Sequence, residues 1–315
     1  MKPAPLLLAL AACSACSDDH PPARHELPGT IWFVEDAPAP TLVRYAGGVR
    51  TVIGRDLYPS AFALPDGRLV AIASRGDGSA DSEQIALVAR DGRVQRIGPA
   101  AAQVRDPAVD QRGRWIVVAA NTDGHSDLYR IDLAGDTTRL TNDEQGNFRP
   151  AVLGDSVVYV SSRDGNSEIY RDAERLTAFY RDDWEPTPSP DGTTIAFLSD
   201  RDGMGHIYLM NDDGTNLRRL ASHTGEESAP TWSPDGTRLA YVVDGHVWLH
   251  DLASGTDREL TPAGARELEP SFSSDGAWLA VSRVRGTASE GRVTNLETGE
   301  SFSFAPDARL PRWLP

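Results

Sequence analysis

The sequence predicts an all-β fold: a seven-bladed β-propeller of four-stranded antiparallel blades, closed by a composite blade built from both chain ends. Three observations carry this. The first is a recurring phrase. Pro186-Thr187-Pro188-Ser189-Pro190-Asp191-Gly192 returns at 230–236 and 270–276, and weaker versions open at Pro59, Pro107 and Pro150. Successive opening prolines lie 48, 43, 36, 44 and 40 residues apart, the period of a four-stranded propeller blade. The second is the content of each repeat. Within 185–220, four short strand signals are separated by Pro190-Asp191-Gly192, Asp202-Gly203 and Asp213-Gly214. Asp-Gly between apolar runs marks a tight hairpin, because glycine accepts the positive φ such a turn needs. The third lies at the ends. Residues 311–315, PRWLP, match the blade opening 230–234, PTWSP, while 31–53 supply only strands two, three and four.

Taken in order, the chain starts with Lys2 and the apolar run 6–12, too short to span a bilayer permanently. Leu10-Ala11-Ala12-Cys13 resembles a bacterial lipobox, so 1–12 read as a lipoprotein signal peptide and Cys13 as the lipidated residue. Ser14 follows, with no Asp there, which in Gram-negative lipoproteins implies an outer-membrane location facing the periplasm. Residues 13–28 are polar and Pro-containing and read as a tether. The propeller occupies 29–315. Its complete blades are expected at 59–97, 107–140, 150–176, 186–220, 230–260 and 270–304. Second strands such as 195–198 and 239–242 are continuously apolar, as in sheets covered on both faces. Fourth strands carry Arg96, Arg139, Arg175, Arg218, Arg219 and Arg258, charges expected to protect outer edges from pairing. The third blade replaces the usual turn by Leu153-Gly154-Asp155-Ser156, and the last complete blade has a long Gly/Ser-rich connection over 285–291.

Composition narrows the function. A net charge of −15 argues against a nucleic-acid partner, which needs a basic stripe. The acidity fits solubility and would also suit a basic partner. Both cysteines, Cys13 and Cys16, precede the propeller, which therefore has neither a disulfide nor a thiolate metal site.

Trp232-Ser233-Pro234-Asp235-Gly236 followed by Leu239-Ala240-Tyr241, and Ser189-Pro190-Asp191-Gly192 followed by Ile195-Ala196-Phe197, resemble the Pro-Asp-Gly repeats of the TolB-type propellers. The resemblance covers nearly all of the chain after Gly29. It implies a periplasmic propeller of the WD40-like kind. TolB itself has an α/β domain before a six-bladed propeller, so the lipobox, the missing α/β domain and the seven apparent blades set this chain apart from it.

Enzymatic constellations are scarce. A similar propeller accompanies the hydrolase domain of prolyl-oligopeptidase-type peptidases, but no Gly-x-Ser-x-Gly elbow occurs here. The oligogalacturonate lyase type is another seven-bladed relative and uses a metal. Of the histidines, His206 and His246 precede corresponding third strands, and His246 and His250 would stand roughly 13 Å apart on a strand. Asn121-Thr122-Asp123-Gly124 and Asp200-Arg201-Asp202-Gly203 resemble the start of a calcium loop without its downstream glutamate. Eleven Asp-Gly dipeptides occur in the chain, so hairpin turns account for these two. No cofactor is expected; the acidic central channel is the one place for a hydrated cation.

The reading is a non-catalytic, monomeric envelope lipoprotein, held at the membrane by its lipid alone, whose propeller binds a protein or peptide. The alternatives are a small-ligand or glycan binder, and a metal-assisted polysaccharide lyase. Arg75, Arg163, Arg201 and Arg283 follow second strands, and acidic residues including Asp106, Asp183, Glu185, Glu227, Glu267 and Glu269 precede or open first strands. Both sets belong to one mouth of the channel. They read either as ion pairs that tie the blades or as a charged rim. The aromatics Tyr58, Phe148, Tyr180 and Trp184 lie in or beside the same segments, and the candidate partner-binding rim is Tyr58, Arg75, Phe148, Arg163, Trp184, Glu185, Arg201, Glu227, Glu269 and Arg283.

Overall fold

The computed structural model describes residues 27–35, 41–74, 83–286 and 288–314, with side chains undescribed at 59–63 and 314. The signal peptide, Cys13, most of the tether and Arg75 lie outside the described residues. Among the described residues, twenty-eight strands form seven four-stranded sheets. Blades 1 to 6 follow the chain, at 57–101, 103–139, 147–175, 183–219, 227–259 and 266–306. Each first strand begins a few residues before its proline. Blade 7 is the composite one: Ala308–Leu314 lies innermost, followed outward by Thr30–Glu35, Thr41–Ala46 and Val49–Arg55. Trp313 is buried in this seam, and its Nε1 donates to the Pro28 carbonyl.

The core is a ring of seven layers, each between two neighbouring blades. Strand alternation builds it. On the second strand of blade 4, Ile195 and Phe197 pack towards blade 3, while Ala196 and Leu198 pack towards blade 5. Both faces are covered, which is why the strands read as unbroken apolar runs. The first hairpin of blades 4, 5 and 6 is made by Ser-x-Asp-Gly. Ser189 Oγ donates to Asp191 at 2.6 Å, and Gly192 takes φ +73; Ser233–Asp235 and Ser273–Asp275 repeat this.

Two expectations need correction. The 285–291 connection is no long loop: Trp278–Arg285 and Ala288–Asn295 are paired strands, with Arg285 opposite Ala288. Gly291 is a strand residue there, because a Cβ would fall 2.4 Å from the Phe304 ring. The arginines of the fourth strands do not all guard an edge either. Arg139 and Arg175 turn inward to buried Asp127 and Glu168, at 2.5 and 2.8 Å.

Candidate functional site

The innermost strands enclose a channel of ≈ 1140 Å³ lined by all seven blades. The repeated proline shapes its wall. Asp106, Arg149, Glu185, Ala229, Glu269 and Leu310 each precede that proline, and each takes φ between +50 and +58. The ladder slips at every one of these places, a β-bulge per blade. A left-handed backbone is unfavourable for non-glycine residues and is retained where the surroundings fix it. Here it sets six side chains around the lumen.

Their charges form a partial chain. Arg149 lies 3.8 Å from Asp106 and 3.6 Å from Glu185, bridging blades 2, 3 and 4. Burial raises the Glu185 pKa, Arg149 opposes that shift, and Asp106 adds to it. Glu269 is held by Ser282 Oγ at 2.7 Å and by the Leu310 amide at 2.8 Å. The next lining position, just after the proline, carries Ala108, Ala151, Thr187, Thr231 and Ser271 in blades 2 to 6, but Arg312 in blade 7.

The ten candidate rim residues separate by environment. Tyr58, Glu185 and Glu269 line the channel. Arg201 Nη2 lies 3.0 Å from both oxygens of buried Asp183, and Arg283 grips Glu267 at 2.9 and 2.6 Å. Arg163 donates to the Tyr159 hydroxyl at 2.6 Å and stacks 4.4 Å from the Tyr170 ring. Glu227 is 1% exposed. Trp184 packs against the layer between blades 4 and 5, and Phe148 lies over the backbone of Gly146. Arg75 is outside the described residues. Tyr180 is the most exposed large apolar side chain among those described, at 74%. It packs at a tilt against Phe179, ring centres 4.5 Å apart, and carries the Arg181 guanidinium at 5.5 Å.

Behind the rim, buried carboxylates clasp the blade junctions. At three of them a threonine after the fourth strand completes the clasp. Thr141 donates to Asp127 at 2.7 Å, Thr177 to Glu168 at 2.6 Å and Thr261 to Glu267 at 3.1 Å. The same hydroxyls accept the third-strand amides of Leu128, Ile169 and Val247. Between blades 4 and 5 that position is Ala221. There the Ile207 amide donates directly to Glu227 Oε2 at 2.7 Å. Glu227 Oε1, His206 Nδ1 and Arg219 Nε are buried without hydrogen bonds. Burial pushes the Glu227 pKa up to about 7. Farther out, His223 and His250 meet Tyr241 and Asp257 at 2.6–2.9 Å. His246 pairs with Glu259 at 2.6 Å. Among the described residues no three His, Cys, Asp or Glu side chains are grouped to hold a metal.

The fold and its repeated proline bulge define a seven-bladed propeller of the Pro-Asp-Gly type with an open polar lumen. Residues 154–243 match the family model of the TolB beta propeller domain. Over that stretch the chain is similar to the TolB beta propeller domain, and its curated matches include proteins described as TolB homologs. It is 31% identical over 161 residues to a TolB homolog of Chlorobium luteolum, covering 49% of this chain and 37% of that protein. It is 35% identical over 111 residues to an uncharacterized protein of Agrobacterium fabrum, covering 30% of this chain and 38% of that one. These matches thus span well under half of either relative. Among solved structures, TolB from Acinetobacter baumannii superposes with a TM-score of 0.59 at 19% identity, covering 91% of this chain and 80% of that one. An oligogalacturonate lyase in complex with manganese gives 0.65 at 16% identity, covering 89% and 85%. At these identities the likeness is one of fold.

Proposed function

We propose that this chain is a non-catalytic propeller module that binds another protein or a peptide at the channel mouth, and that Cys13 anchors it by lipid to the bacterial envelope. The observation that carries the binding reading is Tyr180. It stands 74% exposed on the connection into blade 4, packed at a tilt against Phe179 and capped by Arg181. A solvent-exposed ring held against a second aromatic and beside arginine has the make-up of an interface anchor. Tyr58, 37% exposed, adds a second ring in the lumen wall. Trp184 and Glu227 contribute to the fold behind this surface, so the exposed rings are the ones to test.

The intact propeller serves as bait for solubilised envelope, beside a Tyr58→Ala, Tyr180→Ala variant and an Asp191→Ala variant on the opposite face. The double variant should lose about 2 kcal/mol or more of partner affinity with unchanged melting. Full binding by it, with loss in the Asp191 variant, places the partner on the other face and overturns the reading. Asp106, Glu185 and Glu269 favour a basic segment in the partner. The lyase alternative has fold likeness behind it and nothing more specific.

A further inference from the structure

We propose that the lumen of the channel holds a binding site for a single carboxylate, seated on the guanidinium of Arg312. This rests on reading the channel as a binding site, and it names the chemistry that site selects.

The first argument is the ring itself. The lining position after each proline is occupied by Ala108, Ala151, Thr187, Thr231 and Ser271. These side chains are small and leave the lumen open. Blade 7 alone among the described side chains sets a long cation there. Arg312 sits opposite Trp32 in the ladder, on the strand that closes the ring.

The second argument is what Arg312 lacks. Among the described residues no carboxylate lies within ion-pair distance of it. The lumen acids are otherwise engaged. Asp106 and Glu185 face Arg149. Glu269 accepts from Ser282 and Leu310, and Glu83 accepts from the Val104 amide at 2.8 Å. Arg312 Nη1 donates to the carbonyl of its neighbour Pro311 at 3.2 Å, while its Nε is buried with no partner. Burial lowers the Arg312 pKa, and the charge of Glu269 opposes that. A desolvated guanidinium with an unmet donor is unfavourable unless an anion completes it.

The third argument selects the anion. The guanidinium fork matches the planar, two-oxygen geometry of a carboxylate. Asp106, Glu185 and Glu269 share the lumen, so a monoanion meets less repulsion there than a dianionic phosphate. The hydroxyls of Thr187, Thr231 and Ser271 lie on the same ring. Such a carboxylate comes either from the C-terminus of an extended peptide or from a small organic acid.

The test is thermal-shift titration, at constant ionic strength against chloride, of the full propeller with three probes. These are a random pentapeptide library with free C-termini, the same library amidated, and acetate with succinate. The proteins are the wild type, Arg312→Gln, Arg312→Lys, and Arg105→Gln as a control at an exposed lumen arginine. Free carboxylates should stabilise the wild type and the Arg105 variant. Arg312→Gln should bind them at least about tenfold more weakly, with Arg312→Lys in between. A response to the free peptides alone assigns a peptide terminus; a response to the acids as well assigns any small carboxylate. The proposal is overturned if amidated peptides act like free ones, if Arg312→Gln responds like the wild type, or if no carboxylate shifts the wild type. A wild type that no free carboxylate shifts, beside loss of partner capture in the Tyr58, Tyr180 variant, would leave the mouth as an interface and remove the carboxylate site.

Discussion

Ala221→Thr should stabilise the propeller, and its benefit should grow with pH. At three other junctions a threonine hydroxyl donates to the buried carboxylate and frees it from the third-strand amide. At Ala221 that hydroxyl is missing, and Glu227 Oε1 has no hydrogen bond. Glu227 keeps its proton to about pH 7 in the folded state, against an ordinary value of 4.5. A raised folded value means stability that is complete below 4.5 and is lost as pH climbs to about 7. His206 works in the opposite sense. Burial lowers its pKa below 6.5, so it gives up stability as pH falls beneath that value. Above 6.5 Glu227 acts alone and stability declines.

The interval between 4.5 and about 7 sets an upper bound of about 3 kcal/mol on the whole loss, of which about 1 kcal/mol or less falls above pH 6.5. The new hydroxyl satisfies one buried carboxylate oxygen, a gain of about 1–2 kcal/mol once Glu227 is ionised. Urea unfolding of the wild type and the variant on either side of neutrality measures both quantities. The wild type should lose stability on passing from about pH 6.5 to about 8, and the variant should lose much less. Equal pH slopes in the two proteins, or a variant less stable than the wild type at the higher pH, would refute the clasp argument.

Other outcomes follow from the same contacts. Removing 308–314 should abolish cooperative melting, and Trp313→Ala alone should cost about 3–5 kcal/mol in chemical denaturation; a truncated chain that melts like the intact one would contradict ring closure. Arg201→Gln leaves Asp183 buried without its charge partner and should destabilise by about 3–5 kcal/mol, whereas Arg149→Gln, in a loose and half-exposed bridge, should cost about 1 kcal/mol or less. Cys13→Ala should leave an unlipidated precursor, and mass spectrometry of the mature N-terminus checks that directly.

The blade plan was legible because each signal is local and repeated. Pro-Asp-Gly marks a hairpin wherever it stands, and the match of 311–315 to a blade opening gave away the composite blade. The 285–291 segment misled because Gly and Ser signal loops, while Gly291 is demanded by the closeness of Phe304. The site was only half legible. Recurring Arg and acidic residues announced ion pairs, and Arg201–Asp183 and Arg283–Glu267 are such pairs. Whether a pair faces solvent depends on how neighbouring blades cover it, which no single repeat encodes. The bulge was hidden for a different reason: the residue before a proline normally reads as extended, so nothing local announces a left-handed Asp106 or Glu185. Arg312 and Ala221 become visible only when blades are laid over one another, because each matters as the exception at its position.

The seam at Trp313 also sets the order of events as the molecule forms. Its indole meets the Pro28 carbonyl across 285 residues of sequence, and the innermost strand of blade 7 is made after the six other blades. Until it arrives, the three strands from Thr30 to Arg55 have an open inner edge, the kind of surface that recruits foreign strands. Six finished blades therefore wait on a latch, and closing it brings together segments of very high sequence separation, which slows folding. A chaperone acting on this chain has one interval to cover, from the emergence of Thr30 to the docking of Trp313.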